Sequence, residues 1–375
     1  MPAHPSPARA AAHQDPARSE SASRNSGRRR TLMGIMAAAV AASAISYGLA
    51  HASEGAFMPG LHRVDVRHDA KIRPEKGAGT NILLMGTDHR GTLTQSEKNK
   101  FHAGGVACGC SDVMMLVHLS ARADLISVVS LPRDSYAMIP PYNGRGARPA
   151  KLNAAYETGG PALAVQAVES MTGVYIDRFL QVDFRRFIDS VDAFTGVEVC
   201  TERPLTDPST HLDLKPGKHH LSGGQALQYV RSRKTDSSAD LGRIQRQQRF
   251  LVAVLKKFKG AGFTDIEKVS KVSRALLGDA TADSGFGVDE MLDLAKRIRA
   301  LTPSQAEFTV VPVERFHQVP EVGDTLLWDA RKASEVFKKL NADQPLTEYG
   351  SQKRLTDPPK FFVHEAARGD TLACG

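Results

Sequence analysis

Short uninterrupted apolar runs mark the first half of the chain, and turn-forming residues follow several of them. Such runs predict strands that are buried on both faces of a sheet, because a half-exposed strand would alternate polar and apolar positions. The predicted strands cover residues 82–85, 113–119, 125–131, 179–184 and 309–313.

Helical periodicity appears between and after these runs. A helix is predicted from Pro161 to Gly173, since proline suits the first turn and glycine the end of a helix. Ser238 is a suitable N-cap for a long helix through residue 258, and further helices are predicted over residues 289–301 and 330–340. The alternation predicts an α/β fold of mixed α+β character, with a central mixed β-sheet flanked by helices.

The segment 31–50 contains no charged residue and has the length that a helix needs to cross a hydrocarbon core of ~30 Å. Residues 1–30 are rich in Arg, Pro, Ala and Ser and are predicted to be a disordered cytoplasmic tail. The arginines directly before residue 31 predict a single-pass signal-anchor helix with everything after it outside the cell. A cleaved signal peptide, including a twin-arginine export signal, is the alternative, and it exports the same part of the chain.

The formal net charge of +8 over 375 residues is concentrated in the basic tail, and no nucleic-acid-binding motif is visible. The charge therefore does not indicate a nucleic-acid partner. The apolar content of 41% supports one large core. We expect a linker over residues 51–78, a catalytic domain over residues 79–342 and a flexible C-terminal tail over residues 343–375.

Charged residues stand at the ends of the apolar runs. Asp88 and Arg90 follow the first run, Asp112 precedes the second, and Arg133 follows the third. Ligands of open α/β sheets bind at strand ends, so these residues, with Lys151, are candidates for a binding site. Taken singly, each aspartate has an alternative reading as an ordinary turn residue.

A second group of candidates lies between residues 229 and 247. Residues 229–233 are predicted to be extended, which would place Arg231 and Arg233 on one face, where two positive charges suit a bound anion. On the helix that follows, Asp240, Arg243 and Gln247 form a stripe beside the predicted buried face. Arg246 and Arg249 are predicted to be solvated. The combined set of carboxylates and arginines suits a divalent cation together with a diphosphate.

These segments resemble the LytR–CpsA–Psr family, in the family's order, from about residue 81 to about residue 340. The resemblance is carried by NILLMGTDHR (81–90), SLPRDS (130–135), KLNAAY (151–156) and YVRSRKTDSSADLGRIQRQQ (229–248). It implies a membrane-anchored phosphotransferase that faces outward. Such an enzyme moves a glycopolymer from a polyprenyl-diphosphate carrier to peptidoglycan and forms a phosphodiester.

The resemblance also implies roles for individual residues. Mg²⁺ (or Mn²⁺) would be held by two carboxylates, the diphosphate by cationic side chains, and the rest of the pocket by the stripe on the long helix. The general base is left open, with Asp240 as one candidate. The implied sets are Asp88 and Asp112 for the metal; Arg133, Lys151, Arg231 and Arg233 for the diphosphate; Asp240, Arg243 and Gln247 for the remaining pocket; and Phe184, Phe187, Ile188, Leu251 and Val254 for an apolar tunnel around the lipid.

One position departs from the family pattern. Cys110 stands where many members carry an arginine, and Arg90 is a candidate to replace that charge. The chain has four cysteines, which can oxidise outside the membrane. A disulfide between Cys200 and either Cys108 or Cys110, as in an actinobacterial variant of the family, is one expectation, and free buried thiols are the other. Cys374 is unassigned.

Two other functions use the same residues. A metal-dependent polyprenyl-diphosphate hydrolase would need the pocket but no acceptor. A non-catalytic carrier-lipid-binding protein would need the arginines and the tunnel but would not depend on Asp112.

Overall fold

The structure is a computed structural model that describes residues 62–66, 70–88, 93–104, 111–260, 280–348 and 365–372. The predicted tail 1–30, the predicted membrane helix 31–50, Arg90, Cys108, Cys110 and Cys374 lie outside these residues. Within the described residues, no helix has both the length and the apolar character that a membrane span requires.

Eight strands form one mixed sheet in the order β1-β12-β7-β2-β3-β4-β13-β16. In its centre β2, β3 and β4 are antiparallel, whereas β7 runs parallel to β2 and β13 runs parallel to β4. The predicted central mixed sheet is therefore confirmed. The strands of the sheet are β1 (His62–Val64), β2 (Thr80–Thr87), β3 (Ser111–Leu119), β4 (Ile126–Ser130), β7 (Arg178–Asp183), β12 (Thr281–Asp283), β13 (Ala306–Val310) and β16 (Ala367–Arg368).

The remaining described strands form four antiparallel pairs outside the sheet: β5 with β6, β8 with β11, β9 with β10, and β14 with β15. The late apolar run at residues 309–313 was predicted as one strand, but the end of β13 and the start of β14 share it. Pro312 separates the two, because proline has no amide hydrogen to give to a ladder. These strands are β5 (Tyr136–Ile139), β6 (Arg148–Lys151), β8 (Val197–Thr201), β9 (Leu205–Asp207), β10 (Leu212–Leu214), β11 (Gly217–Leu221), β14 (Val313–Val319) and β15 (Gly323–Trp328).

Helices cover both faces of the sheet, and three of the four predicted helices lie within two residues of their predicted bounds. The fourth, α2, begins at Asn153 instead of Pro161. It is kinked where Gly160 has φ +63°, and Pro161 starts its second half. The helices are α1 (Gln95–Lys100), α2 (Asn153–Thr172), α3 (Phe184–Ala193), α4 (Gly223–Arg231), α5 (Ala239–Gly260), α6 (Val288–Ala300), α7 (Ala330–Asn341) and α8 (Gly369–Leu372).

Two apolar layers enclose the sheet. On one face Leu83 and Leu116, both 0% exposed, pack with residues of α2 and α7. On the other face Met115 and Val128 pack with Val252 of α5. Each fully buried leucine contributes about 2–3 kcal/mol by leaving water, and truncating one to alanine would cost about 2–5 kcal/mol. Because these strands are buried on both faces, their sequences are continuous apolar runs.

Residues 229–233 are not extended, which corrects the prediction. Residues 223–231 form α4, which begins with a capping box in which Ser222 and Gln225 exchange hydrogen bonds. Arg231 is the last residue of this helix and Arg233 lies beyond its C-cap, so the two side chains do not share a strand face. The strand prediction failed because the signal for a helix start, Ser222, stands seven residues before Tyr229, outside the segment that was considered.

The prediction for Arg246 is also wrong. Its side chain is only 3% exposed and donates to the carbonyl of Ser232 and, over 2.8 Å, to Thr235 Oγ1. Arg246 therefore fastens α5 to the loop that connects it to α4. Arg249 is half-buried rather than solvated.

The C-terminal part of the described chain belongs to the sheet. Strand β16 pairs with β13, and Glu307 of β13, 0% exposed, accepts hydrogen bonds from the amides of Leu346 and Thr347 at 2.8 and 3.1 Å. Two segments that were predicted as a linker and a tail thus supply β1 and β16, the two edge strands.

Candidate functional site

The site residues meet at one edge of the sheet. Because β2, β4, β7 and β13 all point the same way and β3 runs opposite, the C-terminal ends of those four strands lie beside the start of β3. Asp88 follows β2 directly and is 5% exposed. The strand-end placement inferred from the sequence is therefore correct for Asp88, Asp112 and Arg133.

Asp112 occupies a β-bulge. Gly86 pairs with Val113 and Thr87 pairs with Ser111, so Asp112 is the extra residue between two paired positions. A bulge bends its strand and redirects the side chain of the extra residue. This is how a residue inside a strand comes to present its carboxylate at the sheet edge.

Arg133 joins the carboxylates of three different segments. Its Nη1 donates to Asp112, and its Nε lies 3.5 Å from Asp134 Oδ2 and 3.9 Å from Asp240 Oδ2. Burial alone would lower the pKa of Arg133, but the charges of Asp112, Asp134 and Asp240 outweigh it and raise that pKa. The guanidinium is therefore permanently charged and held in a fixed orientation.

Asp240, in the first turn of α5, faces three arginines. Besides Arg133, it forms an ion pair with Arg233, and Nη2 of Arg243 donates to its Oδ2 over 3.2 Å. The side chain of Arg243 is 5% exposed, and burial lowers its pKa, with partial compensation by Asp240 and Asp112. One carboxylate thus holds three guanidinium groups together, and a guanidinium group can donate two parallel hydrogen bonds to a phosphate.

Two predicted binding residues, Lys151 and Arg231, have different partners. Lys151, at the end of β6, forms an ion pair of 3.0 Å with Asp134. Arg231 does not join the cluster: its guanidinium lies 4.6 Å from the centre of the Phe184 ring, and its Nη1 is 3.5 Å from the carbonyl of His102. Arg231 and Arg233 therefore serve different parts of the edge.

Gln247 lies one turn further along α5 and is 6% exposed. Its amide donates to the carbonyl of Val230 over 3.2 Å, which ties α5 to α4. The neighbouring Gln248, which the sequence did not single out, donates to Ser130 Oγ and to the carbonyl of Thr309 at 3.1 and 3.0 Å. Gln248 thereby fixes α5 against the ends of both β4 and β13.

Two clefts open at the cluster. A cleft of about 280 Å³ runs from Asp134, Lys151 and Arg233 to the β14–β15 hairpin. A narrow pocket of about 10 Å³ lies between Asp112, Arg133 and Arg243. The two share Pro132, Asp240 and Ile244, so they adjoin at the first turns of α5.

Asp134 is the residue that sequence reasoning missed. It forms ion pairs with Arg133 and Lys151 and lines the larger cleft, yet it was not among the predicted site residues. The available signal was its position directly after Arg133 at the end of an apolar run.

The carboxylates suit a magnesium ion that shares its ligands with a substrate. Mg²⁺ prefers oxygen donors and commonly takes one or two carboxylates together with phosphate oxygens. Asp88 and Asp112 lie at the ends of paired strands, and their carboxylates supply oxygen donors. In the described part of the chain, no group of three or more His, Cys, Asp or Glu residues forms a complete metal site. The metal site at Asp88 and Asp112 therefore stays a prediction.

The predicted tunnel residues are distributed over three apolar clusters. Phe184 and Ile188 of α3 pack with Leu93 and Leu227, whereas Phe187 touches both this cluster and a second one. Leu251 contacts the sheet-facing layer and Val254 the second cluster. All five thus lie at the contacts of α3 and α5 with their surroundings.

Cys200, on β8, is disulfide-bonded, so the alternative of a free thiol at this position is wrong. Its partner lies outside the described residues. The expected pairing with Cys108 or Cys110 stays a prediction.

The protein is thus a mixed α+β protein that gathers arginines and aspartates at one edge of its central sheet. The LytR_cpsA_psr family model matches residues 51–342. The chain belongs to this LytR–CpsA–Psr family, and the resemblance seen in the sequence is confirmed.

Three similar proteins illustrate the relationship. "Probable cell wall biosynthesis protein LcpB" of Corynebacterium glutamicum is 33% identical over 283 residues, which cover 75% of this chain and 65% of LcpB. "Polyisoprenyl-teichoic acid--peptidoglycan teichoic acid transferase TagU" of Bacillus mycoides is 31% identical over 279 residues, covering 74% of this chain and 83% of TagU. The crystal structure of B. subtilis TagV superimposes with a TM-score of 0.58 and 25% identity, over 72% of this chain and 100% of that one. The match with LcpB thus spans slightly less than two thirds of that relative.

Proposed function

We propose that the protein transfers a glycopolymer from a polyprenyl-diphosphate carrier to peptidoglycan, forming a phosphodiester outside the membrane. The observation that carries the proposal is the cluster in which Asp240 holds Arg133, Arg233 and Arg243 beside Asp112. Family membership and the transferase activity in TagU's name support the same reaction.

The reaction needs a pocket for a charged leaving group. A hydroxyl oxygen of the acceptor attacks the phosphorus that bears the glycan, and the bond from this phosphorus to the bridging oxygen breaks. Polyprenyl monophosphate leaves, and the hydroxyl proton passes to a base. Arginines that already lie in place stabilise the negative charge that develops on the phosphoryl and leaving oxygens.

The residues divide this work according to their positions. Arg133 and Arg243 lie at the narrow pocket and would contact the diphosphate. Arg233 lines the larger cleft and pairs with Asp240, which borders both clefts. Asp240 keeps the three guanidinium groups oriented. A Mg²⁺ or Mn²⁺ ion held by Asp88 and Asp112 would add a Lewis acid for the phosphate oxygens.

The lipid is assigned to the side of α3. The guanidinium of Arg231 stands over the Phe184 ring, which places a positive charge beside the apolar side chains of α3. We therefore place the lipid tail among Phe184, Phe187, Ile188, Leu251 and Val254. We also propose that residues 31–50 anchor the chain in the membrane, so that the pocket works next to the surface that holds its carrier lipid.

A transfer assay tests the proposal. Full-length protein in detergent micelles would be incubated with a polyprenyl-diphosphate oligosaccharide, soluble peptidoglycan fragments and Mg²⁺, and the coupled product would be detected by mass spectrometry. We expect coupling by the wild type, loss of at least about 100-fold for Asp112→Ala, and normal coupling for Asp213→Ala. Asp213 is a suitable control because it is an exposed carboxylate on β10, away from the cluster.

The same assay separates the alternatives. Release of phosphorylated oligosaccharide without coupling, whatever acceptor is offered, would indicate a hydrolase. Retention of the lipid without turnover, unchanged in Asp112→Ala, would indicate a binding protein. Either result would reject the transferase.

A further inference from the structure

The β14–β15 hairpin forms the outer wall of the larger cleft and is firmly attached to the segment that carries Arg133. The amide of Leu326 donates to the carbonyl of Asp134 over 2.9 Å, and Trp328 Nε1 donates to Ser135 Oγ over 2.8 Å. Ser135 and Leu326 also form a parallel β-bridge. The hairpin is therefore positioned against the charged cluster by main-chain pairing and by one hydrogen bond from an indole to a hydroxyl.

Phe316 stands on this hairpin at the cleft and is 59% exposed. Its strand partner Leu326 also lines the cleft. The next residue, His317, points to the opposite face of the strand and makes an edge contact with Tyr136 at 5.5 Å. The exposed surface of an aromatic ring at a cleft mouth leaves water when a ligand covers it, and this contributes to binding.

The chemistry of the cleft is mixed in a specific way. Phe316 and Leu326 of the hairpin and Ile244 of α5 offer apolar surface. The charged groups that line the cleft are Asp134, Lys151, Arg233, Asp240 and Asp324. A lipid chain offers no hydrogen-bonding group to the charged side chains of the cleft, and covering them with hydrocarbon is costly. A pyranose ring presents C–H groups on its faces and hydroxyl donors around its rim, so it satisfies both kinds of surface. The volume of about 280 Å³ suits one such ring.

The order of the strands indicates which sugar this is. Along the sheet edge, β7 leads to α3 with Phe184, β2 and β3 carry Asp88 and Asp112, β4 leads to Arg133, and β13 leads to the hairpin. In phosphoryl transfer the attacking and leaving oxygens lie roughly in line on opposite sides of the phosphorus. If the lipid-linked leaving group lies on the α3 side, the attacking hydroxyl arrives from the hairpin side.

We propose that the cleft between the β14–β15 hairpin and the first turn of α5 is the acceptor subsite. It takes an amino-sugar ring of the glycan acceptor, with Phe316 packing on the face of the ring and Asp134 accepting a hydrogen bond from its attacking hydroxyl. This inference rests on the proposed transferase function. It adds a residue, Asp134, that touches the reacting oxygen, and a residue, Phe316, that determines which acceptor is bound.

Binding can be measured without turnover, because the only tryptophan of the chain is Trp328, on the hairpin itself. Full-length protein in detergent would be titrated with a disaccharide–peptide fragment of peptidoglycan while Trp328 fluorescence is recorded. We expect saturable quenching or enhancement for the wild type, weakening of about tenfold for Phe316→Ala, and recovery in Phe316→Trp measured by calorimetry. Met138→Ala is the matched control, since Met138 is a large exposed side chain, 49% exposed, on β5 outside the cleft.

Kinetics provide the second measurement. For Phe316→Ala we expect the acceptor KM to rise about tenfold, while the donor KM and the slow hydrolysis of donor without acceptor stay at wild-type values. Equal losses for donor and acceptor would overturn the assignment, as would acceptor affinity unchanged in Phe316→Ala. Competition by the water-soluble diphosphate sugar for the Trp328 signal would instead place the donor's sugar here and reject the acceptor subsite. If the wild type bound the fragment but never transferred, the proposed function would fail while the subsite stood.

Discussion

Replacing Asp240 with asparagine keeps the shape of the side chain and removes the charge that three arginines share. Breaking a buried ion pair by removing one partner costs about 3–5 kcal/mol when the remaining charge is buried. Arg243, with a side chain 5% exposed, meets that condition, but Asp240 is 24% exposed and water compensates part of the loss. We therefore expect Asp240→Asn to lower the free energy of unfolding by about 2–3 kcal/mol, which corresponds to a fall in Tm of about 4–10 °C.

The same reasoning predicts that an anion restores the variant. Inorganic pyrophosphate should raise the Tm of Asp240→Asn by at least as much as that of the wild type, because it replaces the missing negative charge. A ligand at 100 times its Kd adds about 2.7 kcal/mol to the free energy of unfolding. Differential scanning fluorimetry with and without pyrophosphate measures both effects. Glu335→Gln, which breaks the exposed Arg331–Glu335 pair on α7, is the control and should change stability by less than about 1 kcal/mol. An unchanged Tm in Asp240→Asn, or a variant that pyrophosphate no longer stabilises, would refute this account of the cluster.

Three further predictions concern single residues. Burial raises the pKa of Asp236, but hydrogen bonds from Ser238, Arg203 and Thr235 outweigh it and lower that pKa to about 2. The stabilisation is complete above pH ~4 and is lost as the pH falls towards 2. In Asp236→Asn the free energy of unfolding should therefore lose about 2 kcal/mol of its dependence on pH in this range, and an unchanged dependence would contradict the reasoning. Arg133→Lys has a single charged nitrogen and cannot face Asp112, Asp134 and Asp240 with separate N–H groups. It should lower kcat for transfer by about 100-fold or more, whereas activity within threefold of wild type would exclude Arg133 from the reaction. Cys200→Ser should lose about 2–4 kcal/mol of stability, and dithiothreitol should lower the Tm of the wild type but not of this variant.

The central part of the fold was predictable because burial on both faces leaves a direct mark on the sequence. The strands around residues 82–85 and 113–119 are continuous apolar runs, and α5 begins at the residue after Ser238. The edge strands β1 and β16 were not predictable, since each has only two or three residues and is specified by pairing partners far away in the chain. Tertiary pairing, rather than local composition, determines these segments.

The site was predictable where a motif coincides with a strand end and less so elsewhere. Asp112 and Arg133 meet as expected, although the bulge that redirects Asp112 depends on a register shift that no local pattern encodes. Arg231 and Arg233 were placed on one face because the spacing of two resembles a strand, yet α4 ends at Arg231 and Arg233 lies beyond its C-cap. Asp134 was overlooked because an aspartate after a strand is usually a turn residue.

Two pairings of the sheet give the order in which it can form. Strand β1 pairs with residues 281–283, and β4 pairs with β13 at residues 306–310. Neither pair can therefore form until most of the chain is available. Contacts between such distant segments close large loops and fold slowly. A chain that is exported from its N-terminus would therefore cross the membrane before its sheet is complete. The acceptor cleft, whose outer wall follows β13, would form only after the passage has ended.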